Sequence, residues 1–195
     1  MLDEEIWLRT DEREDILASL RMVSSSCDTA IADPSAWKWI VIGSHSALQG
    51  VMTLHLGFGN DLLVASPEDA NAWLDAHDNG TPYPDMMMDG FLCLYRKIKK
   101  HEIFGYLFKP SGTQGGSIRR LNRLRNQFTH FMPKGWSVEL GGMPGICIDC
   151  LDVADQIAKN SLCNRWESDY QKNSFEETLG QCQSKLHALQ VIYTR

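Results

Sequence analysis

The stretch of sequence that decides the fold runs from residue 33 to residue 55 and reads DPSAWKWIVIGSHSALQGVMTLH. It opens with Asp33-Pro34, where Asp is a typical helix N-cap and Pro suits the first helical position. Apolar side chains then recur at helical spacing, and polar ones interrupt them only singly or in short groups. Gly57 and Gly59 follow and break the pattern. The stretch predicts one long, largely buried helix, which needs other helices around it.

The rest of the chain repeats the helical signal on both sides of this segment. Helical periodicity predicts further helices over about residues 4–31, 66–76, 86–100, 117–131, 144–166 and 174–193, with Ser117 as the cap of the 117–131 helix. Trp136 to Leu140 alternates like a short strand or an extended arm. We therefore expect an all-α, up-and-down bundle of about five to seven helices, forming a single domain over residues 1–195, with at most that short arm after the 117–131 helix.

Composition narrows the class of protein. The chain has 195 residues, 43% of them hydrophobic and 23% charged, which is close to a globular average. No apolar run reaches the roughly 18 residues that a membrane helix needs, and the N-terminus is acidic, so we expect a cytoplasmic protein with no membrane association.

Six cysteines occur, and only Cys147 and Cys150 are closely spaced. A zinc site would need a second ligand pair nearby, and a redox pair would need a strand before it and a helix after it. Neither is present, because the pair lies inside a predicted helix. In a reducing compartment we expect buried free thiols, and we expect no metal and no cofactor.

The net charge of −6 conceals a strong asymmetry along the chain. The segment from Arg96 to Lys134 contains ten Lys or Arg residues and one acid, Glu102, so it carries +9 while the remaining residues sum to −15. Such segregation suits a polyanionic ligand at one site. The alternative is a solvated surface whose cations pair with acidic helices.

The helix predicted around residues 118–131 is amphipathic in an unusual way. On a helical wheel one stripe is apolar and consists of Ile118, Leu121, Leu124, Phe128 and Phe131. The opposite face consists of Arg119, Asn122, Arg123, Asn126 and His130. It combines phosphate donors, side chains that can bond base edges, and a histidine, the residue type whose charge changes near neutral pH.

The end of this helix resembles a known signature. The segment Arg125-Asn126-Gln127-Phe128-Thr129-His130 resembles the HEPN superfamily motif, in which an arginine is followed by a polar residue and, after four to six intervening positions, by a histidine. The next residues, Phe131 to Trp136, resemble the continuation found in some bacterial members. The resemblance covers about 20 residues, and beyond them only the helical character is shared.

This resemblance implies a metal-independent endoribonuclease, in a toxin or phage-defence setting. His130 would act as general acid or base at the ribose 2′-hydroxyl, Arg125 would stabilise charge on the phosphate, and Asn126 would orient the backbone. Further RNA contacts would come from Arg119, Asn122, Arg123 and Lys134. The family also implies a homodimer with the site between two copies, and an antitoxin or nucleotidyltransferase-like protein partner.

Two other functions remain open from the sequence. The chain could be a non-catalytic HEPN-like module that binds RNA or a protein through the basic face, or a helical interaction protein with no nucleic-acid role. A physical difficulty keeps them open, since Arg125 and His130 lie 140° apart on a straight helix. Arg125 must bend round, or the helix must distort near Thr129, or a second copy must complete the site. Otherwise Arg125 is a packing residue that pairs with an acid.

Overall fold

The computed structural model describes residues 7–8, 10–130, 135–162 and 166–193, and within them the chain is all-α. The helices are α1 Glu12–Thr29, α2 Trp37–Leu56, α3 Pro67–Asn79, α4 Phe91–Ile98, α5 Gln114–Thr129, α6 Met143–Ile157 and α7 Asp169–Tyr193. A 3₁₀ turn, Pro34–Ala36, precedes α2, and a π-helical turn, Ala158–Leu162, follows α6. The predicted all-α bundle of five to seven helices is confirmed. No helix of the described ranges is long and apolar enough to cross a bilayer.

Local capping chemistry explains where several helices begin. Asp33 accepts a hydrogen bond from the Ser35 backbone N–H, with Pro34 at the first position of the 3₁₀ turn that leads into α2. Ser66 caps α3 by accepting from the Asp69 N–H at 3.1 Å, and Pro67 again occupies the first position. Both starts agree with the sequence-based expectation, because the cap and the proline act within one turn.

Two predicted helix starts are wrong for tertiary reasons. The fourth helix was expected from residue 86, but α4 begins at Phe91. The segment before it is extended, because the Ser66 N–H donates to the Met87 carbonyl and the Asp89 N–H donates to the Val64 carbonyl. Ser117 does not cap α5, which begins at Gln114; its hydroxyl instead donates to the Asp149 carboxylate of α6.

The other boundary differences lie at the two ends of the chain. Helix α1 begins at Glu12 rather than residue 4, because Asp11 is its N-cap and accepts from the Arg13 and Glu14 N–H groups. The sixth helix ends at Ile157 and gives way to the π-helical turn, instead of continuing to residue 166. The last helix begins at Asp169, five residues earlier than expected. The segment over 136–140 is an extended arm with no strand partner among the described residues.

Helix α2 is the central element of the bundle and packs against α1, α4, α5 and α6. Two glycines seven residues apart allow the closest of these approaches. A Cβ at Gly43 would lie 2.8 Å from the Ser19 carbonyl oxygen of α1, and one at Gly50 would lie 2.5 Å from Cγ1 of Ile16. Because neither contact leaves room for a side chain, the α1–α2 spacing is set by glycine.

Helices α6 and α7 complete the core with small polarizable side chains. Cys147 and Cys150 of α6, Cys182 of α7 and Cys27 of α1 are all buried and free of disulfides. Burial raises the pKa of Cys27 and Cys147 to about 12 and that of Cys182 to about 11. These four thiols stay protonated and act as core residues, as expected from the sequence. Cys93 is free but only half-buried, against the expectation, and Cys163 lies outside the described residues.

We predict that Gly43→Ala destabilises the protein by about 1–3 kcal/mol, because the added methyl meets the α1 backbone, which cannot rotate away. The matched control is Gly180→Ala in α7, where a Cβ meets nothing within 4 Å. That variant should be more stable by about 0.5–1 kcal/mol, because alanine is the better helix former. Urea denaturation measures both, and a neutral Gly43→Ala would contradict the close approach.

Candidate nucleic-acid interface

Helix α5 packs against the core through its apolar stripe, as the helical wheel predicts. Ile118, Leu121 and Leu124 are buried against the core, and Phe128 is half-buried. The ring of Phe128 meets Trp136 of the extended arm edge-on, with centroids 4.9 Å apart. Trp136 is therefore a packing residue in this structure, while Phe131 lies outside the described residues.

The opposite face of α5 is open to solvent at four of its five predicted positions. Arg119, Arg123, Asn126 and His130 are exposed, whereas Asn122 is half-buried. Lys134, also predicted to contact RNA, lies outside the described residues. The structure thus presents two arginines, an asparagine and a histidine along about three turns of one helix.

The basic end of α4 lies beside the first turns of α5. The Lys99 ammonium lies over the Tyr95 ring, 4.4 Å from its centroid. Burial raises the pKa of Tyr95, and the positive charge of Arg119 partly opposes that rise, so Arg119 is close to this ring. Lys97 has a structural role, because its ammonium pairs with the Asp89 carboxylate at 2.8 Å and donates to the Ala65 carbonyl. Cations of α4 and α5 therefore share one surface, and at least one of them is structural.

A cleft opens between α2, α4 and α5 beside this face, and we call it the α2–α4–α5 cleft. Its volume is about 440 Å³. It is lined by His45 and Gln49 of α2, by residues 88–93 at the start of α4, and by Asn122, Arg125 and Asn126 of α5. Three of the residues predicted for the site, Asn122, Arg125 and Asn126, are thus brought together here.

His45 forms the buried wall of this cleft and was not predicted to belong to the site. Its ring is 3% exposed and stacks on Phe91 of α4, with centroids 3.9 Å apart. Its Nε2 lies 3.2 Å from Oδ1 of Asn122. Burial and the nearby charge of Arg125 lower the pKa of His45 to about 4, although the bond to Asn122 opposes the shift. The ring is therefore neutral at pH 7, and with Oδ1 of Asn122 facing it, the tautomer that bonds to Asn122 is the one protonated at Nε2.

Arg125 lies at the boundary between this cleft and a second one. The second cleft, of about 470 Å³, lies between α1 and α2 and includes Asp11, Glu12 and Asp15 in its walls. Arg125 is half-buried, and its Nη1 donates to Oδ1 of Asn126 at 3.1 Å. Its side chain therefore bends round toward the polar face, the first of the three arrangements weighed above. Within the described part of the chain no ion pair to Arg125 is formed.

His130 stands apart from Arg125 in a single copy of the chain. Helix α5 remains regular through Thr129, whose hydroxyl donates to the Arg125 carbonyl at 2.9 Å. His130 then leaves helical geometry at φ −135°, and its backbone N–H donates to the Asn126 carbonyl. The exposed imidazole thus belongs to the last residue whose N–H bonds to the helix. Along the helix axis this residue lies roughly 7.5 Å beyond Arg125, which is the rise of about five residues.

Comparison of the chain with protein-family models, with curated proteins and with solved structures finds no match. Across the described ranges, no three His, Cys, Asp or Glu side chains form a group able to hold a metal ion. The arrangement on α5 and in its cleft is therefore the feature from which a function can be argued.

The sequence carries a signal for His45 that does not identify its partner. His45 and Gln49 are polar residues at i and i+4 on an otherwise apolar helix, so they share a face. Such a pair on a buried helix needs polar partners, which mark a contact or a cleft. The partner helix, however, is more than 70 residues away in the chain, and periodicity does not identify it.

We predict that the buried neutral His45 makes folding stability depend on acidic pH. Its pKa is about 4 in the folded protein and about 6.5 when unfolded, so the unfolded state takes up the proton first as pH falls. This contribution is complete above pH 6.5 and is lost between about 6.5 and 4, by roughly 3 kcal/mol in total.

The measurement is urea denaturation of wild type and His45→Gln at several pH values. Glutamine keeps a donor for Asn122 but does not titrate, so the stability difference between the two proteins should change across that window. A difference that stays constant from pH 7 to pH 4 would show that His45 does not titrate as a buried group.

Proposed function

We propose that the protein is a cytoplasmic endoribonuclease that binds RNA on the exposed face of α5 and cleaves it without a metal ion. In this proposal His130 transfers the proton, Arg125 stabilises the charge on the phosphate, and Asn126 holds Arg125 in place. Arg119 and Arg123 bind neighbouring phosphates. The HEPN-like motif supplies the reaction and its toxin or phage-defence setting, and the geometry of α5 supports it.

The observation that carries the proposal is the state of Arg125. It is half-buried at the edge of a cleft, is held by Asn126 at 3.1 Å, and forms no ion pair within the described residues. A structural arginine in such a place would be expected to pair with one of the acids of the neighbouring cleft. A guanidinium positioned by a neutral amide instead keeps its charge for a ligand, and phosphate is the ligand whose geometry matches its donor fork.

The chemistry follows from the groups that this face presents. A general base removes the proton of a ribose 2′-hydroxyl, the 2′-oxygen bonds to the adjacent phosphorus, and the bond from phosphorus to the 5′-oxygen breaks. The products are a 2′,3′-cyclic phosphate and a 5′-hydroxyl, whose proton comes from a general acid. One histidine supplies one of these transfers, typically worth 10²–10⁴-fold in rate. Positive charge beside the phosphate stabilises the transition state.

A homodimer would bring Arg125 of one copy close to His130 of the other. Arg125 and His130 of one copy are separated by about five residues' rise (roughly 7.5 Å) along α5, and no hydrogen bond joins their side chains within the described residues. If two α5 helices meet antiparallel near their C-terminal ends, Arg125 of one copy approaches His130 of the second copy, and symmetry creates the same pairing twice. We therefore propose that the active form is an isologous dimer with composite sites.

The separation of Arg125 from His130 along α5 also favours a second function. If no dimer forms at this face, the α5 surface retains its phosphate and base contacts but has no assembled proton-transfer site. The protein would then be a non-catalytic module that binds RNA through Arg119, Arg123 and the basic end of α4. Binding of this kind releases counterions and weakens steeply as salt rises.

The test is cleavage of a mixed RNA pool by the purified full-length protein in excess EDTA. We expect wild type to cleave and His130→Ala to lose activity by at least about 100-fold, since the proton transfer is removed. The matched control is His187→Ala, an exposed histidine on α7 away from this face, which should cleave as wild type does. RNA affinity, measured in parallel, should be unchanged in both variants.

The outcomes separate the two functions. Cleavage that is equal in wild type and His130→Ala would contradict the proposed mechanism. An absence of cleavage by all three proteins, with RNA binding that weakens with salt, would establish the binding module instead. An absence of both cleavage and binding would contradict both proposals.

A further inference from the structure

The α2–α4–α5 cleft has hydrogen-bond donors of which the proposed cleavage reaction uses only those of Arg125 and Asn126. Asn122 and Asn126 each contribute an amide whose oxygen already accepts one hydrogen bond from a neighbour. Oδ1 of Asn122 accepts from His45, and Oδ1 of Asn126 accepts from Arg125. Each side chain therefore has its amino group left for a ligand. Together with the remaining N–H groups of Arg125, they give the α5 wall several donors for a ligand, and each amide oxygen has one of its two lone pairs already bonded.

His45 is the α2 residue that hydrogen-bonds the Asn122 amide. With Nε2 protonated, the imidazole bonds to the amide oxygen, which turns toward α2 while the amino group turns away. The stack on Phe91 keeps the ring in place, with the planes 23° from parallel. Because the ring is 97% buried, water does not compete for this bond.

The charges around the cleft also favour an anion. Asp89 is the carboxylate in its lining, and that charge is met by Lys97 at 2.8 Å and by the Gly90 N–H. Burial works to raise the pKa of Asp89, but the bonds from Lys97 and the Gly90 N–H outweigh it and lower the pKa, so the acid is neutralised by an ion pair and not by protonation. Arg125 has no such partner in the described part of the molecule. The charge that remains for a ligand in this cleft is therefore positive.

We propose that the α2–α4–α5 cleft binds an oxyanion of the phosphate class, held by Arg125 and by the amino groups of Asn122 and Asn126, with His45 as a positioning residue that fixes the Asn122 amide. Tetrahedral oxyanions accept hydrogen bonds from several directions at once, which suits a cleft lined by three side chains with donors. The inference deepens the proposed function by adding Asn122 and His45 to the phosphate site of Arg125 and Asn126, and it rests on that function only for the source of the phosphate.

The experiment follows the side-chain amide resonances of the full-length ¹⁵N-labelled protein by NMR during titration. One arm uses inorganic phosphate, and the other uses a short RNA oligonucleotide. We expect saturable shifts of the Asn122 and Asn126 amino signals with phosphate alone, and the same signals should move with RNA if the RNA backbone is the source.

Matched variants test the donors and the positioning role separately. Asn122→Asp replaces the amino donor by a carboxylate oxygen and should weaken phosphate binding at least about tenfold. Its control, Asn71→Asp on the exposed surface of α3, makes the same charge change elsewhere and should leave affinity unchanged. His45→Gln, which keeps a donor toward Asn122, should bind within about twofold of wild type. His45→Phe, which keeps the stack but loses the donor, should release the orientation of the Asn122 amide, broaden its signals and weaken binding several-fold.

The results distinguish this inference from the proposed function. Phosphate shifts that are spread evenly over Arg119, Arg123 and Arg125 without saturation would overturn the cleft site, and so would equal losses in Asn122→Asp and Asn71→Asp. Identical binding and amide signals in His45→Gln and His45→Phe would overturn the positioning role. Saturable phosphate binding without RNA cleavage would leave the cleft intact and contradict only the ribonuclease, whereas cleavage without any phosphate response would contradict only the cleft.

Discussion

The contact on which the rest of the structure depends is the close approach of α1 and α2 at Gly43 and Gly50. At these positions α2 has no side chain, so the Ser19 carbonyl and the Ile16 side chain of α1 lie directly against its backbone. With one side of α2 fixed in this way, its other faces meet α4, α5 and α6. His45 lies two residues after Gly43 and turns toward α4 and α5. The packing of α1 against α2 thereby sets the buried wall of a cleft whose other walls come from residues 88–93 and from α5.

The arrangement of Asn122 and Arg125 on α5 depends on His45, in the buried wall of the cleft, being uncharged. A charged imidazole beside Arg125 would repel it, and an apolar residue would leave the Asn122 amide without a partner. Burial against Phe91 suppresses protonation of His45, so its bond to Asn122 carries no charge into the cleft. Arg125, bonded to Asn126, then lies at the junction of the two clefts, with Asp11, Glu12 and Asp15 in the wall of the second one. One helix can in this way serve an exposed RNA face and a sheltered anion position.

The sequence predicted the helical class and the two faces of α5, because both are local consequences of periodicity and of caps such as Asp33 and Ser66. It did not predict where α4 begins, because backbone bonds between the segments around Ser66 and Met87 override local helix preference. The motif of Arg125, Asn126 and His130 can be recognised from the sequence alone, without knowing which residues surround it in the fold. His45 did not, because its role comes from a helix 77 residues away in the chain.

The central claim is that RNA lies along the exposed face of α5 and over the adjoining cleft. Ultraviolet cross-linking of the full-length protein to RNA that contains 4-thiouridine, followed by mass spectrometry of the peptides, locates the contact directly. The account predicts adducts on residues 114–130 and on the cleft residues 88–93. Adducts concentrated on α7 or α3, with α5 unmodified, would contradict it.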